Sequence, residues 1–297
     1  MKITILGEGA WGKAVGSVAR RIGHEVAYLH HCADQWPAAG QDFVLVALPV
    51  QHLRVTLKKL SNPGAPVLSL SKGIEIATGL RVSQIMQELW PGAVVGALSG
   101  PTLAAEVDKG LPTVAVVAAA SDTQAAEFQK LLHQPKFRLY RSTDIPGVEM
   151  GGALKNVYAI AGGVCMGAGL GENAFAGLMT RCLAEMTRIG VKAGGKPETF
   201  SGLSGVGDLL LTAQSEQSRN HRVGRLLAAG KKLETAVKEA GGTVEGVHTA
   251  KAVFQNSGIP IDSKPILAQI HALLYEGKPV QKAIEELLAR EMKNEIN

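Results

Sequence analysis

The chain opens on a β-type run, Lys2-Ile3-Thr4-Ile5-Leu6, that passes without a spacer into Gly7-Glu8-Gly9-Ala10-Trp11-Gly12. A helical pattern follows at once, with Ala14, Val15, Val18, Ala19 and Ile22 on one face. In a strand-turn-helix setting the first glycine permits a tight turn, the second lets the backbone approach a pyrophosphate, and the third lets helix and strand pack closely. The free amides and dipole of the helix N-terminus then favour an anion. Spacing alone is weak, because 35 of the 297 residues are glycine. The flanking strand and helix are the context the motif requires, so the segment reads as a dinucleotide-binding turn heading a βα unit.

Beyond this unit, short β-rich runs alternate with helical stretches as far as about residue 143. Strands are expected at 2–6, 25–29, 43–47, 67–70, 93–98, 113–118 and 137–141, and helices near 12–22, 50–60, 79–89 and 122–133. Such alternation predicts a parallel, doubly wound sheet with right-handed crossovers. Residues 30–41 are near the minimum length for a parallel crossover and leave little room for a full helix. After about residue 148 strand signals almost vanish. Helical periodicity runs instead through Leu178, Leu183, Met186 and Ile189, then Val223, Leu226 and Leu227, then Ile266, Ile270, Leu273 and Leu274. The turn chemistry of Ser142-Thr143-Asp144-Ile145-Pro146-Gly147 marks the junction. The expected fold class is α/β: a Rossmann-type N-terminal domain over 1–147 with a mostly parallel sheet, plus an all-α C-terminal domain over 148–297 whose residues 293–297 form a solvated end.

Composition removes several function classes. With 46% hydrophobic residues the chain can fill two cores. Cys32, Cys165 and Cys182 form no CxxC pair, which speaks against a disulfide framework or a zinc site and suits a reducing compartment. His52, His133, His221, His248 and His271 are dispersed, so no metal is expected, and no GxSxG nucleophile motif is present. The first strand starts without a basic and apolar leader, and residues 157–170 are too short to span a bilayer. A cytoplasmic protein with no membrane span is expected. The formal charge of +5 is spread along the chain and only 4% of residues are aromatic, which fits a small anionic ligand better than nucleic acid.

Candidate chemistry gathers at a few positions. Lys155 lies in the apolar, glycine-flanked Gly152-Ala153-Leu154-Lys155-Asn156, where desolvation would bring its pKa towards neutrality and make it a usable general acid and base. Lys72, in Ser71-Lys72-Gly73-Ile74-Glu75, follows a strand at the carboxyl end of the sheet, where open α/β folds bind ligands. Asp208, in Gly205-Val206-Gly207-Asp208-Leu209, can orient a lysine, accept a substrate hydroxyl or cap a helix. Arg219 offers a planar fork for a phosphate, and Ser218 and Asn220 add neutral donors at a helix start. Gly100 and Thr102, in Ser99-Gly100-Pro101-Thr102, supply a close backbone approach and a hydroxyl. A dinucleotide domain ordinarily carries an acid for the ribose hydroxyl near the end of its second strand. Here the residues are Leu29, His30 and His31, so a 2′-phosphate meets no repulsion and NADP is tolerated as well as NAD.

In this order the motifs, continued by Val244-Glu245-Gly246 and Leu287-Leu288-Ala289-Arg290-Glu291, resemble NAD(P)-dependent glycerol-3-phosphate dehydrogenase of the bacterial type over nearly the whole chain. The resemblance implies interconversion of dihydroxyacetone phosphate and sn-glycerol 3-phosphate with NADP or NAD, supplying the phospholipid glycerol backbone. It implies Lys155 as catalytic lysine, with Lys72 and Asp208 as its catalytic companions. Cofactor contacts would come from Gly7, Gly9, Trp11 and Gly12, from His30 and His31, and from Lys72, Ala104, Arg219 and Glu245. Substrate contacts would come from Lys72, Gly100, Thr102, Lys155, Asp208, Ser218, Arg219 and Asn220. The compressed residues 30–41, where family members generally carry an insertion, bear on the adenosine side. The partner expected is the small-molecule substrate, and the resemblance allows a homodimer. Two rivals remain: a related hydroxy-acid dehydrogenase, and a non-catalytic NAD(P) redox sensor, which would need neither Lys155 nor Asp208.

Overall fold

Alternation of side chains along the strands sets the layers. A computed structural model describes residues 1–37, 40–291, 294 and 295. Of the expected solvated end, residues 293, 296 and 297 lie outside the described residues. The strands are β1 (Lys2–Leu6), β2 (Glu25–Leu29), β3 (Phe43–Val46), β4 (Val67–Ser69), β5 (Val95–Ser99), β6 (Thr113–Ala119) and β7 (Phe137–Ser142). They form one sheet in the order β2-β1-β3-β4-β5-β6-β7. The helices between them are α1 (Ala10–Arg21), α2 (Val50–Leu57), α3 (Val82–Leu89), α4 (Ala104–Asp108) and α5 (Asp122–Leu132). Ile3, Ile5 and Leu45 pack against Ala14, Val15 and Val18 of α1 and Phe128 and Leu131 of α5. Leu6, Val44 and Val46 face the other way, onto Leu53 and Leu57 of α2 and Ile85 and Met86 of α3. This period of two places helices on both faces.

The sheet is mostly parallel, as expected, and its one departure is β6, which pairs antiparallel with β5 through Leu98↔Val117 and Ala97↔Ala118. The cause is the brevity of α4. Five helical residues rise about 7.5 Å, whereas a five-residue strand spans about 17 Å, so α4 cannot return the chain to the start of the sheet. The eleven residues of α5 can, and β7 pairs parallel with β6. In the β2–β3 link no helix forms among the described residues. Trp36 covers that face instead, packing edge-on against Trp90 at 5.8 Å and donating its indole N–H to the Ser61 carbonyl at 2.9 Å.

From Ile145 the described chain is helical, with no further strand. The elements are α6 (Ile145–Gly167), α7 (Gly171–Lys192), α8 (Pro197–Phe200), a π-helical turn (Leu203–Gly207), α9 (Asp208–Gln214), α10 (Arg219–Ala228), α11 (Leu233–Ala240), α12 (Glu245–Asn256), a 3₁₀ turn (Ile261–Ser263), α13 (Pro265–Tyr275) and α14 (Val280–Leu288). The junction is a helix cap. Asp144 accepts from Gly147 N at 2.9 Å and also from Lys196 N at 2.8 Å and Thr199 Oγ1 at 2.6 Å. Helix α6 is buried at every position from Gly147 to Cys165, as a helix that is apolar all round must be. Its approach to α10 is backbone to backbone: a Cβ on Gly163 would lie 2.0 Å from the His221 carbonyl, and one on Gly224 would lie 2.1 Å from that of Ile160. Glu149 of α6 accepts from Ser83 N at 2.7 Å and from Arg81 at 2.6 Å, tying the start of α3 to the helical half. Among the described residues no helix is long and apolar enough to cross a membrane.

Candidate active site

The glycine turn is shaped by close contacts of its backbone. Gly7 has φ +111°, and a Cβ there would stand 2.5 Å from the Ala47 carbonyl oxygen, so only glycine suits this turn. Gly12 passes so close to Gly7 that its Cβ would lie 2.4 Å from the Gly7 oxygen. Around Gly9 the opposite holds: no atom comes within 4 Å of a Cβ position. Gly9 is also the N-cap of α1 and gives it no side-chain cap, so the first amides of α1 have no side-chain acceptor. This is the open, uncapped helix start that a pyrophosphate needs. Trp11 donates from Nε1 to the Leu70 carbonyl at 3.1 Å, linking the turn to the segment that carries Lys72.

In the segment that Trp11 reaches and in the helical half, two lysines share one carboxylate. Lys72 Nζ donates to Asp208 Oδ2 at 2.7 Å, to the Gly100 carbonyl at 3.0 Å and to Thr102 Oγ1 at 3.3 Å. Lys155 Nζ donates to Asp208 Oδ1 at 2.9 Å and to Thr212 Oγ1 at 2.8 Å. The π-helical turn ends at Gly207 and delivers Asp208 as the first residue of α9, one helical turn before Thr212. Asp208 is 1% exposed and Lys155 8% exposed. Burial opposes ionisation of Asp208, yet the ammonium groups of Lys155 and Lys72 hold its carboxyl below the usual range. Burial also pulls Lys155 down to about 8; Asp208 resists this fall and Lys72 adds to it. The cluster carries a net charge of +1 and contains an ammonium ready to lose its proton near neutral pH.

A second polar layer lines the neighbouring helices. Asn156, next to Lys155, accepts from Asn220 Nδ2 at 2.8 Å, and Asn220 Oδ1 accepts from Gly246 N at 3.0 Å, so one side chain joins α6, α10 and α12. Ser218 caps α10 by accepting from His221 N at 3.2 Å. Arg219 is exposed and donates to the Thr243 carbonyl at 2.8 Å. Glu245 Oε1 accepts from Val50 N at 3.1 Å, while its Oε2 and Thr249 Oγ1 are buried without a partner. A Cβ on Gly73 would meet both, at 2.9 and 3.4 Å. Burial raises the Glu245 carboxyl to about 7, against the lowering pull of the Val50 amide and the Arg219 charge. Ser99 Oγ is likewise buried and unpartnered, 2.4 Å from where a Cβ on Gly152 would stand.

The chain that carries this lysine pair on a shared carboxylate has relatives among known proteins. The family described as NAD-dependent glycerol-3-phosphate dehydrogenase C-terminus matches residues 144–285, and NAD-dependent glycerol-3-phosphate dehydrogenase N-terminus matches residues 29–126. The chain is 38% identical to glycerol-3-phosphate dehydrogenase (NAD(P)+) of Chlorobium limicola and 39% identical to that of Nitrosospira multiformis, with both partners covered at 100% in each case. The glycerol-3-phosphate dehydrogenase structure from Coxiella burnetii superposes with a TM-score of 0.89 at 30% identity, over 97% of this chain and 99% of that one. The chain belongs to the glycerol-3-phosphate dehydrogenase family.

For this glycerol-3-phosphate dehydrogenase family member, the structure brings Lys72, Lys155, Asp208, Gly100 and Thr102 into one cluster. Gly7, Gly9 and Gly12 form the turn, with Ala104 opening α4 and Glu245 opening α12. Four further expected residues stand outside the hydrogen-bonded cluster. Ser218 and Asn220 stand at a helix start, where the Ser218 oxygen accepts from His221 N and the Asn220 amide bridges Asn156 and Gly246. His30 and His31 are exposed beyond β2, their rings 4.0 Å apart. Three functional candidates went unassigned from sequence: Thr212, Asn156 and Ser99. The spacing of Thr212 four residues after Asp208 was the available signal for the first. The residues present fit a nicotinamide dinucleotide, since an open turn, an uncapped helix and the orphaned Glu245 and Thr249 oxygens offer it donors and acceptors.

Proposed function

We propose that this chain interconverts dihydroxyacetone phosphate and sn-glycerol 3-phosphate using NADP or NAD, with Lys155 moving the proton. The observation that carries the assignment of roles is the buried Asp208 carboxylate bonded to both Lys72 and Lys155. Bound along the glycine turn, the reduced nicotinamide supplies the hydride. Lys155, charged below about pH 8, donates its proton to the carbonyl oxygen as the ketone carbon is reduced. Lys72 polarises that carbonyl, and Asp208 keeps the two ammonium groups aimed at one point. In the oxidative direction neutral Lys155 accepts the hydroxyl proton. Arg219, exposed at the start of α10, takes the substrate phosphate in a charge-assisted contact together with the amides of that helix end. His30, His31, Trp11, Ala104 and Glu245 serve the dinucleotide.

In this reading, residues 1–147 hold the cofactor and residues 148–297 supply the catalytic lysine and the phosphate site. The product is the glycerol backbone of phospholipids, and the setting is the cytoplasm. Met166 and Leu170, exposed where α6 turns into α7, support a homodimer, and the dispersed positive charge supports a small anion over nucleic acid as partner. A hydroxy-acid substrate is not favoured by the relatives, and a redox sensor would have no use for a buried lysine with a lowered pKa. The test follows loss of reduced nicotinamide absorbance with and without dihydroxyacetone phosphate. Lys155→Ala should lower kcat about 10²-fold or more while leaving dinucleotide affinity nearly intact. Near-full turnover in that variant would move the proton donor elsewhere.

A further inference from the structure

The end of β2 carries a donor set that takes no part in the proton and hydride transfer. Leu29 closes the strand, and the Ala33 amide then donates to the His30 carbonyl at 3.0 Å, folding residues 30–33 into a tight turn. The turn gathers the side chains of His30, His31 and Cys32, each exposed, so that one ligand atom from each lies within 4.8 Å of the others. Among the described residues this is the only place where three such donors converge. His30 Nδ1 is turned inward, accepting from Cys32 N at 3.3 Å, a long bond that a stronger partner displaces at small cost.

We propose that His30, His31 and Cys32 bind a divalent d-block cation, with Zn²⁺ as the representative ion, through two imidazole nitrogens and a thiolate. Nitrogen and sulfur donors of this kind select zinc and its neighbours over magnesium or calcium. Tetrahedral zinc with bonds of about 2.0–2.3 Å needs donors about 3.3–3.7 Å apart, which exposed side chains already within 4.8 Å reach by χ rotation. Three protein ligands leave a fourth position for water. Because the same two histidines face the adenosine side in the proposed cofactor site, an inference resting on that reading, metal and dinucleotide compete for them.

The test uses the full chain without an affinity tag, titrated with Co²⁺ and then with Zn²⁺. About one equivalent of Co²⁺ per chain should bind with a thiolate-to-cobalt charge-transfer absorption, and Zn²⁺ should bleach it. Cys32→Ser should abolish the band, and His31→Ala should weaken binding at least about tenfold. Cys165 and Cys182 are buried, so the band reports Cys32. Absence of the band, or a band unchanged in Cys32→Ser, overturns the site. In the native chain Zn²⁺ should also raise KM for the reduced cofactor with kcat unchanged. A Cys32-dependent band without that KM effect upholds the metal site and removes His30 and His31 from the cofactor reading.

Discussion

Asp208→Asn preserves the outline of the side chain and deletes the one negative charge in the cluster. Asp208 Oδ1 lies 2.9 Å from Lys155 Nζ and Oδ2 lies 2.7 Å from Lys72 Nζ. With the carboxylate gone, burial and the Lys72 charge, which both lower the Lys155 pKa, lose the charge that opposed them. Opposite unit charges about 4 Å apart are worth about 4 kcal/mol at an effective dielectric of 20, equivalent to about three pKa units. The amide oxygen retains part of the hydrogen bond, so a fall of about one to three units from the native value of about 8 is expected. A fall of one unit takes the protonated fraction at about pH 7.5 from roughly three quarters to roughly one quarter. The assay is kcat/KM for dihydroxyacetone phosphate against pH, which reports the free enzyme. Native reduction should decline as pH rises through about 8, and the variant's decline should begin at least about one unit lower. The oxidative direction needs neutral Lys155, so its rising limb should move the same way. If the variant is slower but its limbs stay in place, Asp208 only positions the lysines and the electrostatic account fails.

Arg219→Ala should raise KM for dihydroxyacetone phosphate by about one to two decades, the cost of a lost charge-assisted contact. A nonphosphorylated ketone should be barely affected, and equal effects on both would show that Arg219 does not read the phosphate. With Leu29, His30 and His31 where an acid usually closes β2, NADPH should support kcat/KM at least equal to NADH, and His31→Asp should favour NADH by about tenfold or more; a strong native preference for NADH would refute this and point to Asp34. Gly224→Ala places a Cβ 2.1 Å from the Ile160 carbonyl and should cost about 1–3 kcal/mol in denaturant unfolding. An unchanged midpoint would mean that α6 and α10 separate without penalty.

The N-terminal half was legible because its signals are local. A period-two strand, a glycine turn and a one-sided helix each declare themselves within a dozen residues, and Gly7 and Gly12 are glycine for reasons of space that hold in any such turn. Strand polarity is not local. Thr113 to Ala119 has the same alternation whichever way it runs, and what reverses it is the shortness of α4, a helix of barely more than one turn that leaves no periodic trace. The helix start at Ser218 was readable for the same local reason, but which donor the hydroxyl oxygen would serve was not. Capping His221 N satisfies a group that the helix itself leaves orphaned, and that demand precedes any ligand.

Lys155 shows where sequence reasoning reaches its limit. An ammonium within an apolar helix implies either a side chain reaching out to water or a buried partner. The close packing of α6 against α10 and α9 removes the first choice. The partner stands 53 residues away, on a helix started by a π-helical turn, and the tie that locks the neighbouring Asn156 spans 64. No periodicity encodes such distances, so the type of chemistry could be read from Lys155 itself while its tuning could not. That tuning follows from one carboxylate divided between two lysines, because a second acid would hold Lys155 charged well above neutral pH and a missing one would strip its proton. With Asp208 alone, opposed by burial and by Lys72, the proton is held to about pH 8, close enough to neutrality for the same group to give it up in reduction and take it back in oxidation.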